Sequence, residues 1–121
     1  MSRVLVVDDE LSLNTLVSDY LRMRGHEVAQ CYDGKSALSL LETDLAFDVI
    51  ILDKRLPDMN GLDVCRKIKA TPALAPIPVI FLSASSLASS GEENVGAALQ
   101  MYKPFSPKDL AQAVERIPKR A

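Results

Sequence analysis

The chain has 121 residues, of which 48% are hydrophobic and 25% are charged, with a net charge of −2. This length fits one compact domain and excludes an enzyme with a cleft between two lobes, while the composition excludes a disordered tail or a coiled coil. The acidic balance argues against direct nucleic-acid binding, and no apolar run approaches the length of a membrane span.

The two cysteines and the N-terminus bear on where the protein is found. Cys31 and Cys65 lie in apolar segments without the spacing of metal ligands, which indicates reduced core thiols in a cytosolic protein. The N-terminus lacks a basic region followed by a long apolar stretch, so no secretion signal is expected. We therefore expect a cytoplasmic protein that makes no contact with membranes.

The first third of the chain alternates short apolar runs with helical patterns. An apolar, β-branched run at 3–7 predicts a strand buried on both faces, and a helix is expected to follow it and end near Gly25. A weaker strand is expected at 28–31, and Asp33 is a candidate N-cap for a helix that continues to Glu42. The inner face of the first helix is predicted to comprise Leu13, Leu16, Val17, Tyr20 and Leu21.

The middle of the chain contains two further strands. The apolar run 49–52 ends at Asp53, and the loop at 55–61 carries strong turn residues. Three apolar residues at spacing three then predict a helix: Leu62, Cys65 and Ile68. The proline-rich stretch 71–78 is excluded from a helix interior, and the run 79–82 predicts a fourth strand that ends at Ser83.

The last third ends in a well-marked helix. A loop is expected at 85–91 and a short helix near 92–97, followed by a fifth strand at 99–102 that ends before Lys103. Ser106, Pro107 and Asp109 have the pattern of a helix N-cap, N1 and N3, and Pro118 is expected to end this helix. Its inner face is predicted to contain Leu110, Ala113, Val114 and Ile117.

Five strands that alternate with about five helices indicate an α/β fold. Parallel neighbouring strands need crossover connections, so helices should cover both faces of a parallel sheet. No internal repeat or linker is visible, and we expect a single domain over 1–121. Sites in such sheets form beyond the carboxyl ends of the strands.

Chemistry-bearing side chains stand at those strand ends. Asp8 and Asp9 follow the first strand, Asp53 the third, Ser83 the fourth and Lys103 the fifth. In a sheet of order 2-1-3-4-5 the three carboxylates would converge, and their repulsion favours a hard divalent cation with oxygen ligands such as Mg²⁺. A carboxylate nucleophile, a metal, an ammonium and a hydroxyl are suited to handling a phosphoryl group.

Five segments, in order and each at a strand end, resemble the response-regulator receiver domains of two-component signalling; they are 6–10, 52–53, 56–62, 81–84 and 103–105. The similarity covers nearly the whole chain. It implies a CheY-like, flavodoxin-like, doubly wound sheet of five parallel strands in the order 2-1-3-4-5. It also implies that the phosphodonor is a histidine kinase or a histidine phosphotransfer protein, and that an output protein or domain reads the result.

The resemblance implies a role for each matched residue. Asp53 would be the phosphoacceptor, and Mg²⁺ would bind Asp8, Asp9, Asp53 and the backbone carbonyl of Arg55. Ser83 and Lys103 would contact the phosphoryl group. Such a domain is not an enzyme beyond its own phosphotransfer and autodephosphorylation.

Other features of the chain bear on switching and on the phosphodonor. His26 is the one histidine, is expected at the surface beside Gly25, and leaves the phosphodonor histidine to another protein. Gln100 stands where receivers often carry an aromatic switch residue, and Tyr102 shares its side of the strand. The interval from Ser83 to Gly96 is shorter than the family pattern, and phosphorylation is expected to order it.

Three other functions compete with this interpretation. An aspartate-nucleophile phosphohydrolase would need a second aspartate two residues after Asp8, where this chain has Glu10, and it would need room for a substrate cap. A flavin-binding electron carrier would need a Ser, Thr and Gly-rich loop after the first strand. A receiver-like docking domain that is never phosphorylated is disfavoured by the complete residue set.

Overall fold

The computed structural model describes residues 2–83, 99–102 and 105–117. Within these ranges the chain forms five strands and four helices. In chain order they are β1 (Arg3–Val7), α1 (Leu11–Met23), β2 (Glu27–Cys31), α2 (Gly34–Thr43), β3 (Val49–Asp53), α3 (Gly61–Ala70), β4 (Val79–Ser83), β5 (Leu99–Tyr102) and α4 (Pro107–Arg116).

The sheet has the predicted order β2-β1-β3-β4-β5, and all of its neighbouring strands are parallel. Alternate residues of the central strands contribute to two separate cores. On one face Leu5 and Ile50 pack with residues of α2 and α3, and on the other Val4 and Ile51 pack with residues of α1 and α4. The α/β fold with helices on both faces is confirmed.

Local signals placed several helix ends correctly. The N–H of Ser36 donates to Asp33 Oδ1 (2.7 Å) at the start of α2, and the N–H of Asp109 donates to Ser106 Oγ (3.0 Å) at the start of α4. Gly25 has a φ of +93°, a conformation that favours glycine, and it ends α1 as predicted.

Both cysteines are buried, and burial raises the pKa of each thiol.

The predicted inner face of α1 was partly wrong. Leu16 is 53% exposed, whereas Asn14 and Ser18 are fully buried beside Val17 and Leu21. The buried stripe therefore runs at spacings of three and four from Asn14, and two of its four members are polar. The cause is a hydrogen-bonded contact between α1 and the ends of the first two strands, described below.

The prediction that His26 lies at the surface was also wrong. His26 is only 6% exposed, its Nδ1 accepts the N–H of Ser2 (2.9 Å), and its Nε2 lies 2.9 Å from Glu115 Oε2. The start of the chain and α4 close over the imidazole from two sides. A position next to a helix-ending glycine is therefore interior here because distant segments cover it.

Some predictions concern residues outside the described ranges. These are the loop at 85–91, the short helix near 92–97, Lys103 and Pro118. None of the described helices is long and apolar enough to cross a membrane.

Candidate functional site

Three carboxylates converge at the carboxyl end of the sheet. Asp8 and Asp9 follow β1, Asp53 ends β3, and one carboxylate oxygen from each lies within 4.8 Å of the others. Asp8 and Asp53 are 1% and 6% exposed, whereas Asp9 faces solvent. The adjacency of β1 and β3 thus brings together the acidic residues that the sequence placed at two separate strand ends.

Nearby backbone groups orient the two buried carboxylates. The N–H of Glu10 donates to Asp8 Oδ1 (2.9 Å), and the N–H of Arg55 donates to Asp53 Oδ1 (3.1 Å). Each donor lies two residues after the aspartate that accepts its hydrogen bond, so the turn after each strand holds the carboxylate at the end of that strand in one orientation. The Asp8 N–H donates in turn to the Cys31 carbonyl (3.1 Å), which ties the end of β1 to β2.

The donor set at this cluster suits a hard divalent cation. Like charges this close raise the energy of the ionised cluster, and burial of two of them strengthens the effect. The oxygens are all carboxylate oxygens, the ligand type that Mg²⁺ prefers. The residues present therefore fit Mg²⁺, while the expected contribution of the Arg55 carbonyl stays a prediction.

Ser83 lies at the same end of the sheet. It is the last residue of β4, is 4% exposed, and pairs with Tyr102 on β5. Asp53 on β3 pairs with Leu82 on β4, and Ser83 is the next residue of β4. Ser83 therefore lies beside Asp53 at the carboxyl end of the sheet. Lys103 lies outside the described residues, and its role stays a prediction.

The loop after β3 approaches the Asp53 backbone closely at Gly61. The Gly61 N–H donates to the Lys54 carbonyl (2.8 Å), and a Cβ added at Gly61 would lie 2.8 Å from Lys54 Cα. Backbone atoms cannot move aside as a flexible side chain could. Glycine is therefore required here, and Asn60 caps α3 beside it by accepting the Leu62 N–H (2.8 Å).

Asp58, from the same loop, has a role that the sequence analysis missed. Its two carboxylate oxygens accept the N–H groups of Gly34 (2.8 Å) and Lys35 (2.9 Å) at the start of α2. These hydrogen bonds lower the pKa of Asp58. An aspartate in a turn was a visible signal, but its target lies more than twenty residues earlier in the chain.

Asn14 was also missed. Its side-chain Nδ2 donates to the carbonyls of Asp8 (3.0 Å) and Cys31 (3.1 Å), and its Oδ1 accepts from Ser18 Oγ (3.2 Å) and Gln30 Nε2 (2.9 Å). The available signal was a pair of polar residues, Asn14 and Ser18, at helical spacing between apolar residues.

Gln100 occupies the strand position where an aromatic residue was expected from the resemblance. It lies on β5 opposite Phe81 and is half-buried. Its Nε2 is buried and has no hydrogen-bond partner among the described residues. Tyr102 is half-buried two residues further along β5, so the two side chains share one side of the sheet, as predicted.

Several proteins of established function are similar to this chain in sequence. The alkaline phosphatase synthesis transcriptional regulatory protein PhoP of Bacillus subtilis is 34% identical over 119 residues, which is 98% of this chain and 49% of that protein. The DNA-binding response regulator MtrA of Mycobacterium tuberculosis is 38% identical over 115 residues, 93% of this chain and 48% of that protein. The chain thus spans about half the length of these relatives.

Solved structures agree with this similarity. The chemotaxis response regulator CheY4 of Vibrio cholerae is 32% identical, with a TM-score of 0.86 and coverage of 96% of this chain and 98% of that one. The receiver domain of sensor histidine kinase PA1611 from Pseudomonas aeruginosa, whose structure holds a magnesium ion in the active-site cleft, is 28% identical with a TM-score of 0.86 and 95% coverage of both chains. The family model for the response regulator receiver domain matches residues 4–115. With that match over nearly its whole length, this chain belongs to the response regulator receiver domain family.

Proposed function

We propose that this domain is a phosphoacceptor in two-component signalling, and that Asp53 receives a phosphoryl group from a histidine kinase or a histidine phosphotransfer protein. The observation that carries the proposal is the convergence of Asp8, Asp9 and Asp53 at the carboxyl end of the sheet. Transfer would change the affinity of the domain for an output protein or domain. Receiver domains are signalling modules rather than classical enzymes, and the proposed chemistry is confined to the chain's own phosphorylation and dephosphorylation.

The proposed step is an in-line displacement at phosphorus. A carboxylate oxygen of Asp53 forms a bond to phosphorus as the bond from phosphorus to the donor imidazole nitrogen breaks, and that nitrogen keeps the electron pair and takes up a proton. The bond from Arg55 N–H to Asp53 Oδ1 supports this role because it fixes the rotation of the carboxylate. Asp8 and Asp9 would hold Mg²⁺, which supplies positive charge that offsets the phosphoryl oxygens.

Two further residues complete the proposed site. Ser83 would donate its hydroxyl to a phosphoryl oxygen, which its burial at the end of β4 supports. Lys103 would pair with another phosphoryl oxygen as a charge-assisted donor. Ser83 would thereby couple the phosphorylated state to β4.

The partners and location are part of the same proposal. PhoP and MtrA are named as transcriptional or DNA-binding regulators, but this chain spans only about half of each. We assign no DNA contact to this chain because its net charge is −2 and the sequence has no overall basic excess. A cytoplasmic location agrees with the two free, buried thiols.

Incubation with acetyl phosphate, with and without Mg²⁺, followed by intact-mass measurement tests the proposal. We expect one phosphoryl group per chain, only when Mg²⁺ is present, and none on Asp53→Asn. Asp63→Asn is a matched control, since Asp63 is an exposed aspartate on α3 that pairs with Arg66 and is not a member of the cluster. Equal labelling of Asp53→Asn and the parent would show that the acceptor is another residue, and labelling in a chelator would contradict the role of the metal.

A further inference from the structure

We propose that Asn14 is a positioning residue for the Mg²⁺ site, holding the backbone on both sides of Asp9 from within α1. This inference rests on the proposed function, because it assumes that Mg²⁺ binds at Asp8, Asp9 and Asp53. The observation behind it is a fully buried amide that bonds to the residue immediately before Asp9.

The hydrogen-bonding capacity of the Asn14 side chain is completely used. The two Nδ2 hydrogens go to the carbonyls of Asp8 and Cys31, and Oδ1 accepts two donors. The opposite orientation of the amide would set its oxygen against two carbonyl oxygens, so the arrangement is unambiguous. The part of this network that faces the aspartates is the pair of Nδ2 donors, which hold the carbonyls of Asp8 and Cys31 in place.

Asn14 forms two hydrogen bonds to the turn that carries Asp8 and Asp9. Its side chain bonds to the Asp8 carbonyl, and its own backbone N–H donates to the Glu10 carbonyl (2.9 Å). Asp9 lies between those two carbonyls. The backbone bond survives any substitution other than proline, so the side-chain bond is the part that depends on asparagine.

The same side chain joins the ends of two strands. The Cys31 carbonyl accepts both the Asp8 N–H (3.1 Å) and Asn14 Nδ2 (3.1 Å), so β1, β2 and α1 meet at one point. Repulsion among Asp8, Asp9 and Asp53 would push this turn away from β3 without a cation, and β2, to which Asn14 binds, lies on the side of β1 opposite β3. An anchor on the side opposite Asp53 keeps the carboxylates at metal-binding distance.

Loss of this anchor should therefore weaken Mg²⁺ binding without removing a ligand. Groups that orient metal ligands from outside the coordination sphere typically change affinity by about 10–100-fold when substituted. We expect the dissociation constant for Mg²⁺ to rise by about tenfold in Asn14→Leu and by a smaller factor in Asn14→Ser, which keeps a shorter donor.

Ser18→Ala is the matched control. Ser18 is buried on the same face of α1 and bonds to the same amide, but it bonds to Oδ1 and leaves both Nδ2 donors in place. Calorimetric titration with Mg²⁺ alone should give a dissociation constant close to the parent's for Ser18→Ala. A merely structural loss would instead weaken binding in Ser18→Ala and in the Asn14 variants alike.

Labelling with acetyl phosphate provides the second readout. For the Asn14 variants, the Mg²⁺ concentration that gives half-maximal labelling should rise, while the rate at saturating Mg²⁺ stays near that of the parent. In the parent itself, the side-chain amide resonances of Asn14 should shift during a Mg²⁺ titration. The midpoint of that shift should equal the midpoint of Mg²⁺ binding measured by calorimetry. The latter measurement needs no variant, and unshifted resonances would overturn the inference even if both variants fail to fold.

The outcomes separate this inference from the proposed function. Folded Asn14 variants that bind Mg²⁺ as tightly as the parent would overturn the role of Asn14 and leave the phosphoacceptor proposal intact. A parent that binds no Mg²⁺ at millimolar concentrations would overturn the proposed metal site, and the Asn14 inference with it.

Discussion

At the scale of single residues, backbone N–H groups orient two carboxylates of the acidic site. Glu10 and Arg55 donate their N–H groups to Asp8 and Asp53, and each donor lies two residues after its acceptor. Such bonds set the direction of a carboxylate without cancelling its charge. The site therefore combines fixed geometry with three closely spaced carboxylates, which is the combination that attracts a small divalent cation.

Gly61→Ala should lower both stability and phosphorylation. The added methyl group would overlap the backbone of Asp53 and Lys54, and overpacking of this kind typically costs about 1–3 kcal/mol. Because the displaced backbone carries Asp53, the proposed acceptor, labelling by acetyl phosphate should also slow. Urea unfolding measures the first effect and intact mass the second.

Gly25→Ala is the control for that substitution. Gly25 has a φ of +93°, and a methyl group added there would meet no atom within 4 Å, so alanine adds backbone strain far from the acidic cluster. It should reduce stability and leave the labelling rate of the folded protein unchanged. If Gly61→Ala labels as fast as Gly25→Ala, the close approach at Gly61 matters for folding alone.

At the scale of elements, apolar runs and caps predicted the strands and helices of the described residues well. Strand ends were visible because buried β-branched runs stop at charged or hydroxyl residues. The polar half of the buried face of α1 was not visible, because counting apolar residues favours Leu16 over Asn14. The carbonyls of Asp8, directly after β1, and of Cys31, at the end of β2, make the asparagine the better interior residue.

A second interaction that no local pattern predicts links α1 to α4. Glu115 on α4 accepts two hydrogen bonds from Arg24, at 2.6 and 2.7 Å, and lies 2.9 Å from His26. Arg24, followed by His26, lowers the pKa of Glu115 to about 2. These residues are about ninety positions apart, so their pairing depends on the completed sheet.

Glu115→Gln should remove a pH-dependent part of the stability. A carboxyl group with a lowered folded pKa stabilises the protein above its ordinary pKa of 4.5, and that contribution is lost as pH falls from 4.5 toward about 2. Because the Glu115 side chain is 30% exposed, solvent limits the effect to about 1 kcal/mol or less at neutral pH. The difference in melting temperature between variant and parent should therefore be largest near neutrality and shrink in acid.

Glu42→Gln is a suitable control, because Glu42 is exposed on α2 on the other face of the sheet. Its melting temperature should follow that of the parent across the same pH range. A Glu115→Gln difference that stays constant down to pH 2 would mean that the glutamate acts through packing, and its charge would then have no part in joining the two helices.

At the scale of the whole molecule, the sheet order turns scattered residues into one site. The sequence predicted which residues end each strand, and the order β2-β1-β3-β4-β5 makes the first and third strands neighbours. Distances within the cluster could not be predicted, since they depend on how the turn after β1 is held against β3. That dependence is also why metal binding and overall stability should be linked.

Mg²⁺ should stabilise the folded chain as a whole. A ligand that binds only the native state adds RT ln(1 + [L]/Kd), about 1.4 kcal/mol at roughly ten times Kd. The unfolded chain separates Asp8 from Asp53 and so offers no comparable site. The melting temperature should therefore rise across millimolar Mg²⁺ and stay unchanged in a potassium salt of equal ionic strength.

Asp9→Ala separates the two parts of this effect. Asp9 is exposed, so its removal leaves little cavity, and it relieves repulsion with Asp8 and Asp53 that is about 1 kcal/mol per charge pair even at the dielectric constant of bulk water. We expect this variant to melt higher than the parent in metal-free buffer and to gain less from Mg²⁺. If the melting temperature of Asp9→Ala in metal-free buffer is lower than that of the parent, repulsion among the three carboxylates does not destabilise the native state. If the melting temperature of the parent does not change with Mg²⁺, the cluster does not bind this cation.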